Sequence, residues 1–166
     1  MSAKKAKGGG GSSGEAREVR SVTRNKKVLH EFHVLDEVEC GISLRGTEVK
    51  SLRAGRCSIA EAYGLFRGGE LWLLAADIPE YAQGNIHNHP PKRERKLLLN
   101  RRELDAWRKQ VREKGITLKA TEVLFRGSLV KVRMALVRGK KLYDKRASER
   151  ERSDKREIER AMTRRR

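Results

Sequence analysis

Between Pro90 and Arg102 the chain places Lys92, Arg93, Arg95, Lys96, Arg101 and Arg102 against two acids, Glu94 and Glu103. Ammonium and guanidinium groups at that density suit the phosphates of a polyanion, whose condensed counterions they release. The cluster runs into Leu97, Leu98 and Leu99, an apolar stretch that should pin it to a core. Cations on an anchored loop hold a fixed register on a phosphate backbone, which cations on a free tail cannot do. Further on, Lys131 and Arg133 alternate with Val130, Val132, Met134 and Leu136, and Arg138, Lys140 and Lys141 follow. A strand there would aim Lys131 and Arg133 to one side and extend a basic surface. Lys on an exposed strand also protects a sheet edge, and the residues alone leave both uses open.

Catalytic chemistry finds less support. His87 and His89 form an H-x-H pair, and Cys40 or Cys57 would have to complete a zinc site. Structural zinc takes four ligands at recognisable spacings, and only the loop pair is suggestive here. The "GGGGSSG" of residues 8–14 lacks the Lys-Ser or Lys-Thr of a phosphate loop. The acids are dispersed among basic residues rather than gathered for magnesium. No metal or cofactor is expected, and a basic RNase using His87 or His89 as general base is the least supported reading.

Forty Lys and Arg against 22 Asp and Glu give a net charge of +18 over 166 residues. The charge is spread along the chain, so the body is basic in its own right and not only at its ends. The two cysteines lack CxxC spacing, and reduced thiols are expected. The N-terminus is charged without a signal-type apolar stretch, and no run approaches the roughly 18 residues that span a bilayer. A cytoplasmic protein with no membrane partner is the expectation, with a monomer as its expected state.

These side chains must be positioned by a small domain. Residues 1–23, rich in Lys, Gly and Ser, read as a disordered leader. Phe32, Val34, Val38, Cys40, Ile42 and Leu44 fall on even positions, with Asp36 breaking the series, and predict a long strand. "GTEVKSLRAG" predicts one or two helical turns closed by Gly55, and Gly68-Gly69 between apolar runs predicts a hairpin. "AQGNIHNHPPKRERK" reads as an exposed loop. In "NRRELDAWRKQVREKG", Leu104, Trp107 and Val111 form one helical stripe, and Asn100 and Glu103 have the spacing of a capping box. A final hairpin turns at "RGS". Strands in this order, with a helix before the last pair, predict a mainly β protein: an oligonucleotide-binding (OB)-like closed barrel with flanking helices over residues 24–138.

The closing segment, residues 139–166, holds 12 Lys or Arg and 6 Asp or Glu. Glu151 to Lys155, Glu149 to Arg152 and Glu157 to Arg160 have helical pairing distances, each contributing about 0.2–0.5 kcal/mol. Ile158, Ala161 and Met162 make one short apolar patch. Such a helix is marginal alone, so the tail should be largely unfolded until a partner orders it.

Several stretches together resemble the small protein B (SmpB) family of bacterial SsrA-RNA (transfer-messenger RNA, tmRNA) binding proteins. They are "NKK" at 25–27, "ECGISLRGTEVKSLRAG" at 39–55, "RKLLLNRRE" at 95–103 and "GKKLYDKR" at 139–146. The resemblance implies an OB-like barrel that grips the tRNA-like part of that RNA during trans-translation, the rescue of stalled ribosomes. It implies a C-terminal tail that becomes helical in the empty message channel of the small subunit, against its rRNA near the decoding centre. Alanyl-tRNA synthetase would charge the RNA, elongation factor Tu would deliver the complex, and the protein itself would catalyse nothing. Carried over by position, the RNA surface falls on Asn25, Lys26, Lys27, Glu39, Glu48, Lys50, Arg53 and Lys131, with Leu98 supporting it from beneath. The residue pattern adds Lys92, Arg93, Arg95, Lys96 and Arg133. Tyr143, Asp144, Lys145 and Arg146 match the motif that meets the decoding centre. Lys140, Lys141, Arg150, Lys155, Arg156, Ile158, Arg160 and Met162 complete the expected ribosome-binding tail. An aromatic such as Tyr143 stacking on a base contributes about 1–3 kcal/mol in comparable settings. Beside this reading stands a ribosomal or initiation-factor-like OB protein that binds rRNA directly.

Overall fold

The computed structural model describes residues 18–141 together with 143, 144, 146, 150, 153, 154, 156–158, 160 and 162. Seven strands carry the fold: β1 (Val19–Arg24), β2 (Phe32–Ile42), β3 (Tyr63–Arg67), β4 (Glu70–Leu74), β5 (Arg95–Leu98), β6 (Ile116–Arg126) and β7 (Leu129–Gly139). Three α-helices, α1 (Lys26–Glu31), α2 (Gly46–Arg53) and α3 (Arg101–Val111), and a short 3-10 helix (Asn85–His87) interrupt them.

The strands pair in the order β1-β6-β3-β4-β5-β2-β7, and β7 returns to β6. All pairings between the strands are antiparallel. Six strands thus close a ring, the mainly β barrel with flanking helices that the pattern predicts. β6 makes this closure by serving three neighbours. Lys119 and Leu118 in its first half pair with β3. Residues 122–126 in its second half pair with β1 along the same edge. Its other edge is zipped to β7.

The inward residues are aliphatic, as the alternation requires. Leu71, Leu73, Leu118, Ala120, Val132, Met134 and Leu136 are all at most 1% exposed. The α3 stripe packs on the same core, with Trp107 buried and Leu104 and Val111 half-buried. Trp107 Nε1 donates to Asp36 Oδ2 at 2.7 Å. That bond explains the acid in the β2 series: β2 carries a bulge between Val34 and Asp36, which re-aims the side chain locally. Gly64 on β3 lies where a Cβ would come 2.9 Å from Leu118 Cβ and 3.0 Å from Met134 Cε. Gly64→Ala is therefore expected to destabilise by about 1–3 kcal/mol through overpacking, measurable by urea denaturation.

Four sequence expectations change. β1 begins at Val19, inside the segment read as leader. Helix α1 forms just before the long strand, where no element was expected, and β5 begins inside the stretch read as a loop. Asn100 precedes α3 without a side-chain capping bond, its backbone carbonyl alone accepting from Leu104 N–H at 3.0 Å. The stretch read as an exposed loop is anchored: His89 and Arg95 are 1% and 0% exposed. Beyond the body, the described residues from Tyr143 to Met162 have helical backbone and all but the half-buried Asp144 are exposed.

Candidate nucleic-acid interface

Asn25 links β1 to α1. Its N–H donates to Thr121 O at 2.8 Å, and Nδ2 donates to Ile59 O and Ala60 O at 2.9 and 3.1 Å. The side chain is 7% exposed and spent on the protein, so it pins the corner. What it pins is the first turn of α1, from which Lys26 and Lys27 stand exposed. The other half of that helix turns inward through Val28, which packs on Ala135 and Val137.

Glu48, expected on the RNA surface, is likewise spent on the protein. It is 0% exposed at the start of α2, where it accepts from Arg45 N–H at 2.6 Å and closes a capping box. Arg93 binds it through Nε at 2.8 Å and Nη2 at 2.6 Å, and Arg95 Nε binds it at 2.8 Å. Arg95, also expected on the RNA face, is fully buried. It spends its remaining donors on the carbonyls of Ala76, Arg93 and Pro91 at 2.7–2.9 Å. A buried charge needs such a partner set. This triad, not the leucine run alone, fastens the basic segment to the barrel. Arg93 keeps partial exposure, Lys92 is exposed, and Lys96 forms an ion pair with Glu70.

Glu39 sits on β2 directly opposite Arg133 of β7, with Lys131 two residues away on the same strand as Arg133. Its two oxygens take Arg126 Nε and Nη2 at 2.9 and 2.7 Å. The Arg126 hydrogen bonds, aided by the charges of Arg126, Lys131 and Arg133, outweigh burial and hold this carboxyl below its usual value. An ionised carboxylate amid cations keeps lone pairs for a base amino group or a 2′-OH. Arg133 itself pairs with Glu122 at 2.6 Å. Leu98 does not lie beneath this surface: it is 52% exposed, seated beside Gly41, where a Cβ would come 3.2 Å from its own.

On α2, Lys50 and Arg53 are exposed. Lys50 Nζ stands 5.3 Å from the centroid of the Tyr81 ring, and the Arg53 carbonyl accepts from Arg20 Nη2 at 2.9 Å. At the end of β7, Lys140 is tied back to the body. Its N–H donates to Glu31 O at 3.0 Å and Nζ donates to Leu29 O at 3.1 Å. Asp144 lies 3.6 Å from His33 Nε2 and accepts from Lys141 N–H at 3.3 Å. These two residues, expected in the ribosome-binding tail, thus also join the tail to the body. Lys141, Tyr143, Arg146, Arg150, Arg156, Ile158, Arg160 and Met162 are exposed, and Lys145 and Lys155 lie outside the described residues.

The histidines do not build a site. His89 Nδ1 bonds Thr47 Oγ1 at 2.9 Å and Nε2 bonds Ile78 O at 3.0 Å, so it is buried and has no ring nitrogen left for general base work. Among the described residues no group of three or more His, Cys, Asp or Glu is arranged to hold a metal. Burial pushes the Cys40 thiol up to about 12 and the Cys57 thiol up to about 11, which keeps both as inert thiols. No helix among the described residues is long and apolar enough to cross a membrane.

A basic barrel with an exterior of this kind fits many nucleic acids, and known proteins of similar sequence narrow its family. The family described as SmpB protein matches residues 22–164. The chain belongs to the SmpB family. An SsrA-binding protein of Kineococcus radiotolerans is 48% identical over 144 residues, covering 87% of this chain and 92% of that protein. Those of Acidothermus cellulolyticus and Carboxydothermus hydrogenoformans are 49% and 44% identical, covering 91% and 95% of their own lengths and 87% and 85% of this chain. A chain of the solved structure "tmRNA-SmpB: a journey to the center of the bacterial ribosome" superposes with a TM-score of 0.62 at 40% identity, over 72% of this chain and 85% of that one. Sequence reading of this SmpB chain missed Arg126 and Glu122. The signal for Glu122 was present: it is a carboxylate just before the apolar run Val123, Leu124, Phe125.

Proposed function

We propose that this chain binds the tRNA-like part of SsrA RNA through its barrel and brings that RNA to stalled ribosomes in trans-translation. The observation that carries this is a family match running from residue 22 to residue 164, through barrel and tail alike. Lys26, Lys27, Lys50, Arg53 and Lys92 are exposed and form no ion pair with any described acid, which leaves them free for phosphates. Asn25 and the Glu48 triad act from behind, fixing where those cations stand. The ribosome, chiefly its small-subunit rRNA, is the second partner, and the basic tail helix is the element that enters the empty message channel. Alanyl-tRNA synthetase and elongation factor Tu act through the charged RNA, in the cytoplasm. The protein is an adaptor and not an enzyme.

A pull-down with the full-length chain followed by RNA sequencing tests this. One abundant tRNA-like RNA is the expected catch, and rRNA alone would overturn the reading in favour of a direct rRNA binder. Binding of the purified tRNA-like fragment should weaken steeply with salt, since several phosphate contacts together lose about 10³-fold or more in affinity between 50 and 200 mM.

A further inference from the structure

Three strands bring cations and a hydroxyl onto one buried carboxylate. Glu122 on β6 is 4% exposed, and its cross-strand neighbours are Arg24 on β1 and Arg133 on β7. Both pairings carry a register shift beside it, between Ser21 and Thr23 and between Ala120 and Glu122, the kind of bulge that re-aims side chains. Glu122 Oε1 accepts from Ser21 Oγ and Arg24 Nε, and Oε2 from Arg133 Nη1, all at 2.6 Å. Burial pushes the carboxyl up, but the Ser21 and Arg24 hydrogen bonds and the Arg133 and Arg24 charges outweigh it, so the group is an anion.

The two arginines are held yet not consumed. Their side chains keep 66% and 35% exposure. Arg24 spends only Nε and Arg133 only Nη1 on the acid, leaving planar N–H donors of the geometry that grips phosphate. Arg24, Lys26 and Arg133 line one open cleft of about 400 Å³. Arg24, Lys26 and Lys27 line a second of about 260 Å³, and Asn25 belongs to both.

We propose that Glu122 is a positioning residue that clamps Arg24 and Arg133 into a fixed pair of guanidinium forks, which receive a backbone phosphate of the bound RNA. The inference rests on the RNA-binding reading above and adds to it a subsite, two donors and the acid that sets them. An acid placed here subtracts a charge from a phosphate-seeking surface. Its benefit is that the guanidinium groups are already ordered when the RNA arrives, so less side-chain freedom is lost on binding.

That opposition of sign makes the test. Full-length protein is titrated with in vitro transcribed tRNA-like fragment of SsrA RNA across about 50–200 mM salt. Arg24→Gln, with an unchanged melting temperature as the control for its fold, should weaken binding about tenfold and lower the salt slope by about one. Glu122→Gln should also weaken binding although it removes a negative charge from the phosphate-seeking surface. Tighter binding or a steeper slope in Glu122→Gln would show a mere neutralising acid and overturn the proposal. An unchanged slope in Arg24→Gln would overturn the phosphate subsite. If Glu122→Gln lowers the melting temperature, Arg24→Gln and Arg133→Gln decide alone. A wild-type chain that ignores the RNA sinks the function itself, whereas tight wild-type binding with unaffected variants sinks only this subsite.

Discussion

Glu48→Ala is expected to lower the free energy of unfolding by about 3–5 kcal/mol, because it leaves Arg95 charged and fully buried without its acid. Against a usual domain stability of about 5–15 kcal/mol, that brings the barrel close to unfolding at ambient temperature. Urea denaturation followed by the fluorescence of Trp72 and Trp107 measures it. A loss below about 1 kcal/mol would show that the Ala76, Arg93 and Pro91 carbonyls carry Arg95 by themselves. The double variant Glu48→Leu/Arg95→Met should recover most of the loss, since apolar replacement of a whole buried pair is often neutral. The same group makes a pH prediction. Burial pushes the Glu48 carboxyl up, while hydrogen bonds from Arg93, Arg45 and Arg95 and the Arg95 charge bring it below its usual value. A folded value below the unfolded one gives stability that is complete above the unfolded pKa and is lost as pH falls through the folded value. Acid should therefore destabilise the wild type from the ordinary carboxylate range downward, and Glu48→Gln should flatten that slope.

Removing residues 142–166 is expected to leave binding to the tRNA-like RNA nearly intact and to abolish tagging of stalled peptides. The truncation point follows from the structure: β7 runs to Gly139 and Lys140 is bonded to Glu31 and Leu29, so an earlier cut would damage the barrel. The removed segment carries ten Lys or Arg against six Asp or Glu, so some nonspecific, salt-sensitive affinity goes with it. A gel shift and a tagging assay on the same truncated protein separate the two roles. A truncated chain that no longer binds the RNA fragment would overturn this division of labour.

What the sequence displays clearly is whatever depends on periodicity over many residues. The β6–β7 hairpin and α3 each repeat their pattern long enough to be read. β1, α1 and β5 span six, six and four residues, too few to show a period, and they exist because β6, Val137 and β4 await them. The site divides along the same line. Lys26, Lys27 and Lys50 are cations by composition and are exposed in the fold. Arg95 and Glu48 have the same composition, but their fate is set by a carboxylate and a guanidinium lying 47 positions apart in sequence. Nothing local distinguishes a buried arginine from a solvated one. Glu122 is the converse case, an intruder whose partners, Arg24 and Arg133, are known only once three strands are aligned.

The ring closure has a consequence for biosynthesis. β7 is the stave that joins β2 to β6, and among the described strands it is the last to be made. Pairing residue 41 with residue 131 and residue 32 with residue 139 sets most of the chain as the loop to be closed, which favours slow, late folding. Without β7 the other strands of the ring form an open sheet. Glu39 and Arg133, which face each other across that final seam, come together only once β7 has been made and the ring has shut.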